Sequence, residues 1–110
     1  MKVLVAGSRN IRVFDLSEYI PPETDLIISS GAEGVDSLAE QYADQHRISK
    51  LILRPRYDLY GRAAPIKRNE IMVDLADIVI IIWDGISKGT NHTVTYARKK
   101  NKPLQVIRVV

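Results

Sequence analysis

The sequence predicts a three-layer α/β sandwich of the Rossmann-like kind, on three observations. Five short runs rich in Val, Ile and Leu punctuate the chain: Val3–Ala6, Leu26–Ser29, Leu51–Leu53, Ile78–Trp83 and Leu104–Val109. Stretches with helical patterning stand between them. The run Ile78-Val79-Ile80-Ile81-Ile82-Trp83 shows no polar alternation, as a strand covered on both faces requires. Strands alternating with helices fold as a parallel sheet with right-handed crossovers and helices on both faces. The expected strand order is 3-2-1-4-5.

The first strand, Val3–Ala6, ends at Gly7, and Asp15-Leu16-Ser17-Glu18 then has the spacing of a capping box for a short helix that Pro21-Pro22 ends. Beyond the second strand and Gly34, residues Val35, Leu38, Ala39, Tyr42 and His46 recur along one helical face, which puts His46 on its buried or half-buried side. The third strand, Leu51–Leu53, runs into Arg54-Pro55-Arg56-Tyr57-Asp58-Leu59-Tyr60-Gly61-Arg62, a loop that mixes cations with aromatics. Pro65 suits the first turn of a third helix that reaches about Leu75. A fourth helix follows Gly89 and closes on Arg98-Lys99-Lys100, cations favoured at a helix C-terminus, before Asn101 and Pro103.

The chain's 110 residues, 45% hydrophobic and 26% charged, suffice for one core, and a single domain over 1–110 is expected. A net charge of +3 suits an anionic ligand but is too mild to announce a nucleic-acid binder, where clustering matters more than the total. With no cysteine, disulfides, thiolate metal sites and cysteine nucleophiles are excluded. No histidine or acid spacing suggests a metal, and no cofactor is implied. The first apolar run stops far short of the roughly 20 residues that span a bilayer and has no signal-peptide layout. A cytoplasmic chain without a membrane partner is expected; a homo-oligomer is an open alternative.

In such a fold the ligand crevice lies beyond the carboxyl ends of the strands. After the first strand, Gly7-Ser8-Arg9 offers a tight turn, donors and a guanidinium; the plain alternative is a turn with a surface arginine. After the second, Ser29-Ser30-Gly31-Ala32-Glu33-Gly34-Val35-Asp36 places small residues before a helix N-terminus, an anion site or an ordinary capped turn. The dinucleotide fingerprint and the P-loop are both absent. Arg68 and Asn69 continue the apolar line of the third helix, which implies an internal network, a ligand or both. After the fourth strand, Asp84 can accept ribose hydroxyls or merely form a turn, and Ser87-Lys88-Gly89-Thr90 again offers amides and hydroxyls to an anion as it opens a helix poor in helix formers. The cationic loop can stack a base, lid the pocket, touch another subunit or simply lie in solvent.

These segments, in this order, resemble the SLOG superfamily, in particular its small YspA- and YpsA-related members of unknown function. The resemblance rests on Gly7-Ser8-Arg9, on Ser29 to Ala39, on Arg68-Asn69-Glu70-Ile71-Met72, on Trp83-Asp84-Gly85 and on Ser87-Lys88-Gly89-Thr90. Ser30 stands where the family usually has glycine. The resemblance implies a nucleotide-type ligand, ADP-ribose-like or a nucleotide signal, that is sensed or sequestered. Its relatives suggest two alternatives. One is an N-glycosidic or phosphoester hydrolase like the LOG phosphoribohydrolases, using Glu33, Asp36 or Asp84; the LOG motif's glutamate has no counterpart in Asn91-His92-Thr93. The other is single-stranded DNA binding like DprA, through Arg54, Arg56, Arg62 and the loop tyrosines.

Overall fold

In the computed structural model, which describes residues 1–109, the apolar runs become β1 (Lys2–Gly7), β2 (Leu26–Ser29), β3 (Ser49–Ile52), β4 (Ile78–Trp83) and β5 (Leu104–Arg108). They form one all-parallel sheet in the order β3-β2-β1-β4-β5. The helices are α1 (Val35–Gln45), the single turn α2 (Tyr57–Tyr60), α3 (Ala64–Leu75) and α4 (Lys88–Lys99). The Rossmann-like α/β fold that the patterning predicts is the fold observed.

Alternate residues of the central strands face opposite layers, as the pleat demands. Val3, Val5, Ile27, Ile80 and Ile82 pack beneath α1 (Val35, Ala39, Ala43) and beneath Ile11, Leu16 and Ile20 of the β1–β2 crossover. Leu4, Ile28, Val79 and Ile81 face the other layer, against Met72, Val73 and Ala76 of the α3 region and Val94 and Ala97 of α4. Burying an Ile or Val side chain contributes about 1.5–3 kcal/mol, and Val79, Ile80, Ile81 and Ile82 of β4 are all fully buried.

Three local expectations need correction. The β1–β2 crossover holds one turn of 3₁₀ helix, Leu16–Glu18, in place of a helix with a capping box. Asp15 Oδ1 accepts from the Ser17 amide (3.0 Å) and the Ser17 hydroxyl (2.6 Å), which closes the turn before Glu18 can take part; buried Leu16 and Ile20 then pin the segment. β3 starts two residues before its apolar run, because Ser49 and Lys50 lie exposed at the sheet edge, where an apolar pattern is not required. His46 is exposed as the C-cap of α1 and stands edge-on to Tyr42, with ring centroids 3.9 Å apart.

The threonine-rich start of α4 folds by satisfying itself. Ser87 caps it, Thr93 Oγ1 donates to Gly89 O (3.1 Å), and Thr95 Oγ1 donates to Asn91 O (2.9 Å). From β1 the chain moves outward to β2 and β3, then returns past β1 to β4 and β5. Order therefore reverses between β1 and β4, and the carboxyl ends of these two strands flank the crevice.

Candidate functional site

A cleft of about 280 Å³ opens at that reversal. Eleven residues singled out in the sequence line it: Gly7, Arg9, Ser30, Ala32, Asp36, Arg68, Asn69, Asp84, Ser87, Gly89 and Thr90. Ala6, Asn10, Met72 and Thr93 line it as well, and sequence reasoning missed them. Asn10 follows the Gly-Ser-Arg turn, and Thr93 lies one helical turn past Gly89, so periodicity along α4 was a usable signal for Thr93. Ser8, Ser29 and Gly31 do not line the cleft.

The floor explains Gly7 and Ser8. A Cβ on Gly7 would run into the Ile82 carbonyl oxygen and lie 2.8 Å from Val35 Cγ2, so glycine is required for strand and helix to approach. Ser8, expected to donate to a phosphate, is buried. Its amide donates to Ile82 O (3.1 Å), its Oγ accepts from the Asp84 amide (2.9 Å), and its carbonyl accepts from the Val35 amide (3.3 Å). A buried hydroxyl needs a partner, and this one finds it in the backbone beyond β4. Ser8 thereby ties β1, the end of β4 and α1 together.

The N-terminus of α1 is closed by the same turn. Gly34, at φ +76°, packs so tightly against the Ser8 and Arg9 carbonyls that a Cβ would strike both. The Ser8 carbonyl thus takes the first amide of α1, one of the donors the sequence offered to an anion. Ser29 Oγ donates to Asp36 O (3.3 Å) and accepts from the Gly31 amide (3.3 Å). Gly31, at φ +75°, faces Arg54 and Ile52, and its carbonyl accepts from Arg54 Nη1 (3.2 Å). Both residues shape the turn rather than the cleft.

Ser30, Ala32 and Asp36 do reach the cleft from this side. Asp36 is 5% exposed, and its Oδ2 accepts from the Ser30 hydroxyl. Its Oδ1 is buried without a hydrogen-bond partner. Burial pushes the carboxyl up to about pKa 7, against the pull of the nearby Arg68 charge.

From the opposite layer, α3 brings Arg68 and Asn69. Arg68 Nε donates to Asn69 Oδ1 (2.8 Å) and Nη1 to Leu53 O (3.4 Å), which fixes a half-buried guanidinium in the wall. The internal network and the cleft lining, which the sequence left as alternatives, coexist. α4 enters the cleft at its first turn. Ser87 Oγ accepts from the Thr90 amide (3.4 Å) and the Thr90 hydroxyl (3.1 Å), and Ser87 O accepts from the Asn91 amide (3.1 Å). The Lys88 and Gly89 amides precede the first helical bond and keep no partner within the helix. Nothing lies within 4 Å of where a Gly89 Cβ would stand, so the backbone there is open.

Asp84 serves this turn. Its Oδ1 accepts from the Ile86 (2.8 Å) and Ser87 (3.0 Å) amides, and these bonds hold its carboxyl below the usual range. Glu33 is exposed and pairs with Arg12 at 3.3 Å. The cationic loop stays outside: Arg56 pairs with Asp58 (2.8 Å), Tyr57 and Leu59 are exposed, and no residue of 54–62 lines the cleft. Among the described residues no group of three or more His, Asp or Glu could hold a metal ion, and no helix is long and apolar enough to cross a membrane.

Fold and cleft together define the class: a Rossmann-like α/β domain with a mixed-charge crevice at its reversal point. No family model, curated protein or solved structure matches the chain.

Proposed function

We propose that the cleft binds a nucleotide-derived small molecule and holds its phosphate at the N-terminus of α4, between Arg68 and Arg9. One observation carries the reading: the open first turn of a twelve-residue helix meets a half-buried, braced arginine in a single crevice at the sheet's reversal point. The helix end supplies free amides and the positive end of its dipole, and the guanidinium supplies charge-assisted hydrogen bonds. A volume of about 280 Å³ sits at the lower edge of ordinary ligand pockets. The ligand class is the one implied by the SLOG resemblance, and membership in that superfamily is part of this proposal.

The test is calorimetry with nucleoside monophosphates and ADP-ribose, on the native chain and on Gly89→Asp. The Gly89 site has room for a side chain, and an acid there suits the helix dipole, so the fold is expected to survive. Binding by the native chain and a loss of at least about tenfold in the variant are expected, the size of one lost charged interaction. Unchanged affinity in Gly89→Asp would remove the phosphate from α4.

A further inference from the structure

Asp36 is one donor short. Its Oδ2 takes the Ser30 hydroxyl, while its Oδ1 is buried and unpartnered among the described residues. Native proteins leave few buried polar atoms unpaired. The Ser30 and Ala32 amides face the carboxyl and pull against its burial, but the Ala32 amide donates to Ser30 Oγ (3.3 Å) and neither reaches Oδ1. Ser29 Oγ serves the Asp36 carbonyl and the Gly31 amide. Arg68 acts on the carboxyl through its charge, but its hydrogen bonds go to Asn69 and Leu53. The titratable and charged groups that face this pair are Glu40, one turn along α1, Arg9 and Arg54 on the neighbouring turns, and Tyr57 of α2. None of these is hydrogen-bonded to Asp36 Oδ1. Asp36 does line the cleft, so an occupant of the cleft can bring the missing donor.

We infer that Asp36 sets the specificity of this site: it accepts a hydrogen bond from a ring hydroxyl of a phosphorylated sugar whose phosphate lies at the start of α4. This rests on the phosphate reading above and adds the ligand's second anchor. A phosphate ester without hydroxyls then fills the anion site but leaves Asp36 unpaired, while a sugar phosphate satisfies both. Selection arises because a site built to pair a hydroxyl rejects the analogue that lacks it. The carboxyl accepts best when ionised, so discrimination grows as pH rises through about 7.

Two phosphomonoesters on the same ring test this by calorimetry on the whole chain: anhydroribitol phosphate, which has ring hydroxyls, and tetrahydrofurfuryl phosphate, which has none. The native protein is expected to prefer anhydroribitol phosphate by about tenfold or more, the ratio for one charged hydrogen bond. In Asp36→Ala the ratio is expected to fall to about one. A second measurement needs no variant. The native ratio is expected to be larger near pH 8 than near pH 5.5; phosphate ionisation is common to both esters and cancels. Equal affinities in the native protein overturn the role of Asp36 and leave the phosphate site standing. So does a preference that survives in Asp36→Ala, or one that does not change with pH. If neither ester binds, the phosphate site itself is overturned and this inference falls with it.

Discussion

Asp36 and Arg68 approach from opposite layers of the sandwich, and each is held by a neighbour from its own segment, Ser30 and Asn69. The sequence marked Arg68 and Asn69 as polar residues on a buried line, which need partners, and Ser30 and Asp36 only as parts of a small-residue turn before a helix. What it could not show is that Ser8 turns inward while Arg9, one residue on, faces the cleft; that depends on which strand end lies alongside. The buried acid has a consequence that needs no ligand. Its carboxyl sits at about pKa 7 in the fold against 3.8 for an ordinary aspartate. The folded chain therefore holds a proton that the unfolded chain has already released across that interval. Stability from this group is greatest below about pH 4, declines as pH rises toward 7, and is level above it. The full shift corresponds to a loss on the order of 4 kcal/mol. Asp36→Asn keeps an acceptor for Ser30 and cannot ionise. Urea unfolding at about pH 4.5 and pH 7.5 is expected to show the native chain losing about 2–4 kcal/mol relative to Asp36→Asn. Parallel pH profiles for the two proteins would mean that the carboxyl titrates normally.

At the scale of elements, legibility followed burial. The runs of β1, β2 and β4 could be read because both of their faces are covered, whereas β3 escaped by two residues because Ser49 and Lys50 face solvent at the edge. The first crossover misled for the opposite reason: its buried leucine and isoleucine mimic a helix face but anchor an irregular segment. Of the two helix N-termini that the sequence offered to an anion, the one rich in small residues has its first amide taken by the Ser8 carbonyl, and the one made of poor helix formers is open around Gly89. Glycine content alone could not separate them, since that carbonyl comes from a turn more than twenty residues earlier. The open end depends on Ser87, whose hydroxyl caps α4 while Asp84 folds the approach. Ser87→Ala is expected to cost about 1 kcal/mol in stability by chemical denaturation, the ordinary value of a lost cap. Anion affinity is expected to fall with it, because the first turn of α4 frays. A variant with native stability would show that Asp84 holds the turn unaided.

At the scale of the whole molecule, the expected strand order is the order observed, and it puts the cleft between β1 and β4. That placement also governs motion. β1 and β4 are paired on both sides, while β3 and β5 each have one free edge. Amides of the central pair, such as those of Val5 and Ile80, are expected to exchange with deuterium only when the entire chain opens; those of β3 exchange by local fraying. A ligand seated above the central pair cannot stay bound through global opening, so it slows the central amides by the factor 1 + [L]/Kd, about a hundredfold at a hundred times Kd. The frayed edge is expected to exchange at its old rate, and uniform slowing across all five strands would mean that the sheet has no separable edge. Occupancy of the cleft would then be written in the slowest clock the molecule has, readable by hydrogen exchange even for a ligand with no colour and no reaction.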